Sequence, residues 1–236
     1  MKKYLIAGAA LVASLSSAVF ADNFTGPYAG VTLGANSFQS GYNQTAASAA
    51  NGLGPAGLRS NSAETLFNYG LYTGYGHTIG QYYVGGELLF ALQNGEVKGK
   101  GVNSNNTALA HATMKEGYSF NPTLRLGALI APKTLAFIKL GLAGTQMKVT
   151  AQPISVGVAN NLTTSYKKTL WGYSFGAGIE TLVTDSISIR ADYTCNIYPT
   201  TTFEIPNPTL ANGTNQGKIS PQDNIFRVGL SYNFSL

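Results

Sequence analysis

A scarcity of charge, a strict alternation of short and long connections, and a period-two segregation of side-chain chemistry together point to an all-β chain. The form they describe is an eight-stranded antiparallel up-and-down transmembrane β-barrel with four long extracellular loops and short periplasmic turns. Asp, Glu, Lys and Arg make up 11% of the 236 residues, while the hydrophobic share is an ordinary 44%. A soluble globular domain carries roughly 25% charged residues, so too few are present to coat a soluble surface. Fourteen tyrosines and eleven phenylalanines exclude the aromatic-poor composition of a disordered chain.

The chain begins Met1-Lys2-Lys3, continues through a small and apolar stretch from Tyr4 to Phe20, and reaches Val19-Phe20-Ala21 before Asp22. A basic start, a short apolar core and small residues at minus three and minus one describe a secretory signal peptide over 1–21, cleaved after Ala21, with the barrel over 22–236. A membrane-anchoring helix is the competing reading; the stretch is short for a span and Ser14, Ser16 and Ser17 weaken it. Cleavage removes two of fifteen basic residues, leaving thirteen against ten acidic ones, a formal charge of +3 spread singly along the chain. No basic patch of the kind that binds nucleic acid results.

Eight segments then alternate. The first, 24–38, sets Val31 and Leu33 against Gly30, Thr32 and Gly34. The second, 66–77, sets Phe67, Tyr69 and Leu71 against Asn68 and Gly70. In the third, 82–93, Val84, Leu88, Phe90 and Leu92 oppose Glu87. The fourth, 116–130, and fifth, 135–149, place Phe120, Leu124 and Leu126, then Ile138, Leu140 and Leu142, against Asn121, Arg125, Lys139 and Gly141. Ala131-Pro132-Lys133-Thr134 joins them as a hairpin turn. In the sixth, 169–182, Trp171, Tyr173, Phe175 and Ile179 oppose Gly176 and Glu180. The seventh, 187–198, sets Ile187, Ile189 and Tyr193 against Arg190 and Asp192. The eighth, 224–234, sets Phe226, Val228, Leu230 and Tyr232 against Arg227 and Asn233.

Connections at 78–81, 131–134 and 183–186 are about four residues long, whereas 39–65, 94–115, 150–168 and 199–223 are long, polar and rich in Gly, Asn, Ser and Pro. Short turns at one end of a meander and long loops at the other match the asymmetry of an outer-membrane barrel. A soluble lipocalin-type barrel would need a charged exterior, and every mid-strand charge here lies on a single parity. The apolar parity is therefore assigned to lipid and the polar one to the lumen. Tyr75, Tyr82 and Tyr232 toward the turns, and Tyr118, Phe120, Trp171, Tyr173 and Tyr193 toward the loops, are assigned to interfacial girdles.

Glu87, Arg125, Lys139, Glu180, Arg190, Asp192 and Arg227 would project into a lumen barely wide enough for its own side chains, and are expected to form one network of ion pairs that occludes it. Paired carboxylates could instead serve a glycosidase or protease; four cations beside three anions favour the structural network.

Several stretches resemble the OmpA-like and Opa-like outer-membrane surface antigens of Gram-negative bacteria: 26–31 (GPYAGV), 82–87 (YYVGGE), 171–180 (WGYSFGAGIE), 188–193 (SIRADY) and 227–234 (RVGLSYNF). The resemblance implies surface loops used in adhesion, host-cell interaction or immune recognition, and a lumenal salt-bridge cluster to which Glu87, Lys139, Glu180 and Arg190 correspond. No peptidoglycan-binding domain follows, so no cell-wall tether is implied. The family's assembly signal ends in an aromatic; here Tyr232 and Phe234 are followed by Ser235 and Leu236, so either Phe234 is the effective end or Leu236 replaces the aromatic.

The expected function is that of an outer-membrane surface protein whose loops carry a structural or interaction role, with a narrow porin-like channel as the alternative and a lipid-modifying barrel enzyme last. One cysteine, Cys195, and two histidines, His77 and His111, supply little for a metal or catalytic site, so no catalytic residue, metal or cofactor is assigned. Cys195 falls on the lipid parity as a small apolar filler. The expected partners are outer-membrane lipids, the barrel-assembly machinery and a host-cell or matrix ligand that no loop motif names. The barrel is expected to be a monomer.

Overall fold

The computed structural model describes residues 24–44, 59–94, 96–102, 108–153, 164–206 and 214–234. The leader, its cleavage point at Ala21, and Leu236 of the proposed assembly signal lie outside the described residues.

Ten strands follow one another: β1 (Gly26–Gln44), β2 (Arg59–Ile79), β3 (Tyr82–Asn94), β4 (Glu96–Val102), β5 (Ala108–Ala131), β6 (Thr134–Pro153), β7 (Thr164–Leu182), β8 (Ile187–Ile197), β9 (Thr201–Pro206) and β10 (Thr214–Asn233). They make eight walls, not ten. β4 pairs with β5, the strand that β3 also pairs with, and so continues β3 toward the loop end; β9 continues β8 in the same way along β10. Each wall is antiparallel to its neighbours, and β1 closes the circle on β10 from Tyr28↔Asn233 to Gln44↔Gly217. Closure pairs the backbone amides and carbonyls of every wall, the condition for crossing hydrocarbon as sheet.

Along β3 and β8 buried and outward-facing residues alternate one by one, with the apolar parity outward. Val31, Leu71, Leu88, Leu124, Leu140, Phe175, Ile189 and Val228 all stand exposed on the outer wall. Turns between walls are tight: Gly80, at φ +62°, supplies the left-handed residue of the 79–82 turn, and Thr184 accepts at its hydroxyl from the amides of Ser186 and Ile187 in the 183–187 turn.

The structure departs from the sequence expectation at the loop end. The connections assigned to 39–65, 94–115, 150–168 and 199–223 are in large part strand, because β1, β2, β5, β6, β7 and β10 all run on into them and β4 and β9 lie wholly within them. At roughly 3.3 Å per residue and a tilt near 45°, twenty residues rise about 45 Å, well beyond an apolar band about 25 Å tall. Ladder hydrogen bonds outside the membrane do not require apolar side chains, so the polar composition that reads as loop is compatible with strand there.

The lumen is also less uniformly polar than the parity rule implies. An apolar plug of Phe24, Tyr83, Leu129, Leu135, Phe137 and Leu182 closes the periplasmic end, and a second cluster of Phe38, Leu66, Ala143, Met147, Leu170 and Tyr198 sits toward the loops. The charged residues lie between them.

Candidate functional site

Glu87, on β3, is the centre of the lumenal network. Arg190 reaches it from β8, diametrically opposite in the wall order, with Nη1 at 2.6 Å from Oε2 and Nη2 at 3.2 Å from Oε1. Arg125 Nη1 lies 3.3 Å from Oε2, Lys139 Nζ 4.0 Å from Oε1, and the Tyr28 hydroxyl donates to Oε2 at 3.1 Å. Arg125 also donates through Nη2 to Glu180 Oε2 at 2.6 Å, and Glu180 Oε1 accepts from Ser188 at 2.6 Å and Ser231 at 3.3 Å. Lys139 donates to Asp192 Oδ1 at 2.7 Å, and Arg190 Nε stands 3.4 Å from Asp192 Oδ2. All six of these charged residues are buried.

Aromatic faces hold the two guanidinium groups. The carbon of the Arg190 guanidinium sits 3.5 Å from the centroid of the Tyr72 ring, and that of Arg125 sits 4.0 Å from Phe137. Desolvated cation–π contacts of this kind are worth about 2 kcal/mol each. Tyr72 is fixed in turn by a 2.6 Å hydrogen bond between its hydroxyl and Ser231.

Glycines decide which residues can meet. Tyr28 and Glu87 belong to walls two apart and both stand in register with Gly74 on the wall between them. Tyr72 and Ser231 flank Gly30 in the same way, and Arg227 and Asn68 flank Gly34. With no side chain in the middle, groups on the outer two walls touch across it. A Cβ on Gly74 would come within 2.4 Å of the Tyr28 ring, and one on Gly30 within 2.5 Å of the Tyr72 ring.

Of the seven residues assigned to the network, the structure brings six together and leaves Arg227 apart. Arg227 is buried, its Nε donates to Asn68 Oδ1 at 3.0 Å, and it makes no ion pair within 4.0 Å among the described residues. The count of lumenal anions is corrected as well. Glu116 and Asp223, at or outside the expected segment ends, are both buried and both accept from Asn36 Nδ2, at 3.1 and 3.0 Å. Because β5 and β10 continue past the expected boundaries, both residues join the inward face. Asn68 stands on the lumenal parity to which the alternation assigns it, whereas Tyr28, Tyr72, Ser188 and Ser231 are network partners that the sequence reading does not assign.

Tyr75, Tyr82, Tyr118, Phe120, Trp171, Tyr173, Tyr193 and Tyr232 all stand exposed on the outer wall, as do Phe234 and the outer side of His77. Tyr232 and Phe234 pack edge to face at 4.9 Å. Cys195 is partly buried on the parity of Tyr193 and Ile197, and Gln222 Nε2 stands 3.4 Å from its sulfur. His111 lies in strand β5, paired with Lys100 and Gln152, and not in a loop as expected. Among the described residues no three His, Cys, Asp or Glu side chains gather as metal ligands. The arrangement holds paired charge at the barrel's centre.

A family profile described as "Outer membrane protein beta-barrel domain" matches residues 7–234. A 25 kDa outer-membrane immunogenic protein of Brucella melitensis is 29% identical over 121 residues, covering 51% of this chain and 48% of that protein. A 22 kDa outer membrane protein of Rhizobium leguminosarum is 25% identical over 149 residues, covering 63% and 61%. The chain thus spans about half the length of the Brucella relative. Among solved structures, outer membrane protein OprG from Pseudomonas aeruginosa superposes with a TM-score of 0.57 at 17% identity, covering 90% of this chain and 97% of that one, a likeness of fold.

Proposed function

The chain belongs to the outer membrane protein β-barrel domain family, and on that premise we propose that it is a surface protein of the outer membrane in which an occluded barrel carries interacting loops. One observation carries the reading: the lumen is crossed by the Glu87-centred ion network between two apolar plugs. A barrel filled in this way serves as a stand, which leaves the connections at its long-loop end as the interacting part. The immunogenic character named for the Brucella relatives supports exposure of those connections to a host. Adhesion or recognition of a host or matrix surface is the interaction that fits, and the reading assigns no catalysis.

The test pairs a binding assay with a conductance assay. Variants shortened within 45–58 and 207–213 are refolded beside the parent chain. Binding to host cells or extracellular matrix that disappears with shortening, with no loss of fold, supports the interaction role. Large and stable porin-like conductance of the parent chain, with binding unchanged by shortening, would replace it with the channel.

A further inference from the structure

Arg227 is 1% exposed, yet its Nη1 and Nη2 reach no hydrogen-bond acceptor among the described residues, and neither does the Nδ2 donor of Asn68 beside it. The carboxylates near it are engaged elsewhere. Asp192 stands opposite Arg227 in the β8–β10 register, but its Oδ1 accepts from Lys139 at 2.7 Å and from Thr194 at 3.2 Å, and its Oδ2 faces Arg190 Nε at 3.4 Å. Asp223, two inward positions earlier on β10, accepts from Asn36 at 3.0 Å and from Tyr198 at 3.1 Å. Glu87 and Glu180 are held by Arg125, Arg190 and Lys139. Among the lumenal cations, Arg227 alone lacks an ion-pair partner within the described residues.

We propose that Arg227, with the Asn68 amide, forms a lumenal binding site for a small monovalent anion of the chloride class. Water would satisfy the N–H donors but bring no negative charge to within ion-pair distance of the guanidinium; an anion does both. The guanidinium edge offers two adjacent nitrogens. An eight-walled lumen is narrow, which limits the occupant to halide size. Gly34, in register with both Arg227 and Asn68, lets the two side chains meet across the wall between them: a Cβ there would stand 2.9 Å from Arg227 Cγ. This inference concerns the lumen and does not rest on what the loops bind.

Bromide tests the site directly. Crystals of the full barrel soaked in sodium bromide are expected to show an anomalous peak in contact with the Arg227 Nη atoms. In detergent, the midpoint of thermal unfolding should rise with chloride when gluconate, too large to enter, holds ionic strength constant, since a ligand of the folded state alone stabilises it by mass action. Arg227→Gln should abolish that rise. Asn68→Asp, which places a fixed carboxylate beside the guanidinium and preserves the Nε contact, should raise the midpoint without chloride and remove the chloride dependence. That variant decides the matter where Arg227→Gln does not fold. A parent chain with no bromide peak at Arg227, or an Asn68→Asp barrel as chloride-dependent as the parent, overturns the proposal.

Discussion

Among the described residues Glu87 is the one carboxylate that meets all three cations of the network, Arg125, Lys139 and Arg190. Removing one partner of a buried, hydrogen-bonded pair costs roughly 3–5 kcal/mol, chiefly because the remaining charge stays behind without compensation. Glu87→Gln should therefore lower unfolding stability by about 3–5 kcal/mol in a urea titration of the refolded barrel. Glu180→Gln should cost less, since Arg125 keeps Glu87 as a partner. Combining Glu87→Gln with Arg190→Gln restores the balance of charge, so the double variant should lose measurably less than the sum of the single losses. Additive losses would show that the pair is not coupled. The identities of these charged residues were legible in the sequence because each interrupts an apolar alternation. Their pairing was not: Arg125 and Lys139 are like charges in register on adjacent strands, and only carboxylates arriving from β3, β7 and β8 make that juxtaposition tolerable.

At the scale of a strand, two kinds of glycine have opposite consequences. Gly74 sits beneath the Tyr28 ring, with no room for a Cβ, whereas a Cβ on Gly86, on the outer wall, would meet nothing within 4 Å. Gly74→Ala should destabilise the barrel by about 1–3 kcal/mol through overpacking, and displace the Tyr28 hydroxyl from Glu87. Gly86→Ala should be close to neutral in the same unfolding experiment. Equal effects would remove the steric explanation. The outer face answers to lipid instead: Leu140→Arg should cost about 2–4 kcal/mol of stability in bilayers if it lies near the midplane. Alternation placed Leu140 on that face correctly from sequence. The strand ends were misjudged because the loop-end extensions lie outside the apolar band, where no side-chain rule marks the continuing ladder.

At the scale of the whole molecule, closure of β1 on β10 leaves no free sheet edge along the part of the eight walls where every strand is paired on both sides; toward the loop end β4 and β9 each pair on one side among the described residues. A closed barrel of this kind resists detergent, so folded protein should migrate differently on a gel before and after boiling. A chain that migrates identically in both states would contradict the architecture. Occlusion should hold bilayer conductance low, and Glu87→Gln in a barrel that still folds should raise it, because that variant opens the network and leaves both apolar plugs in place. Unchanged conductance would place the barrier in the plugs.

Sequence by itself determined the membrane-spanning barrel, its eight walls and the assignment of faces. Each of these follows from local chemistry: a strand between lipid and lumen must change polarity with every residue, and the shortage of charge excludes water on the outer side. Tertiary structure alone decided which charges meet. Partners such as Glu87 and Arg190 face one another across the lumen, and that contact depends on closure and on the stagger of the walls. Those relations also left Arg227 without an ion pair among the described residues and drew Glu116 and Asp223 inward, because they belong to the assembled ring and to no single strand.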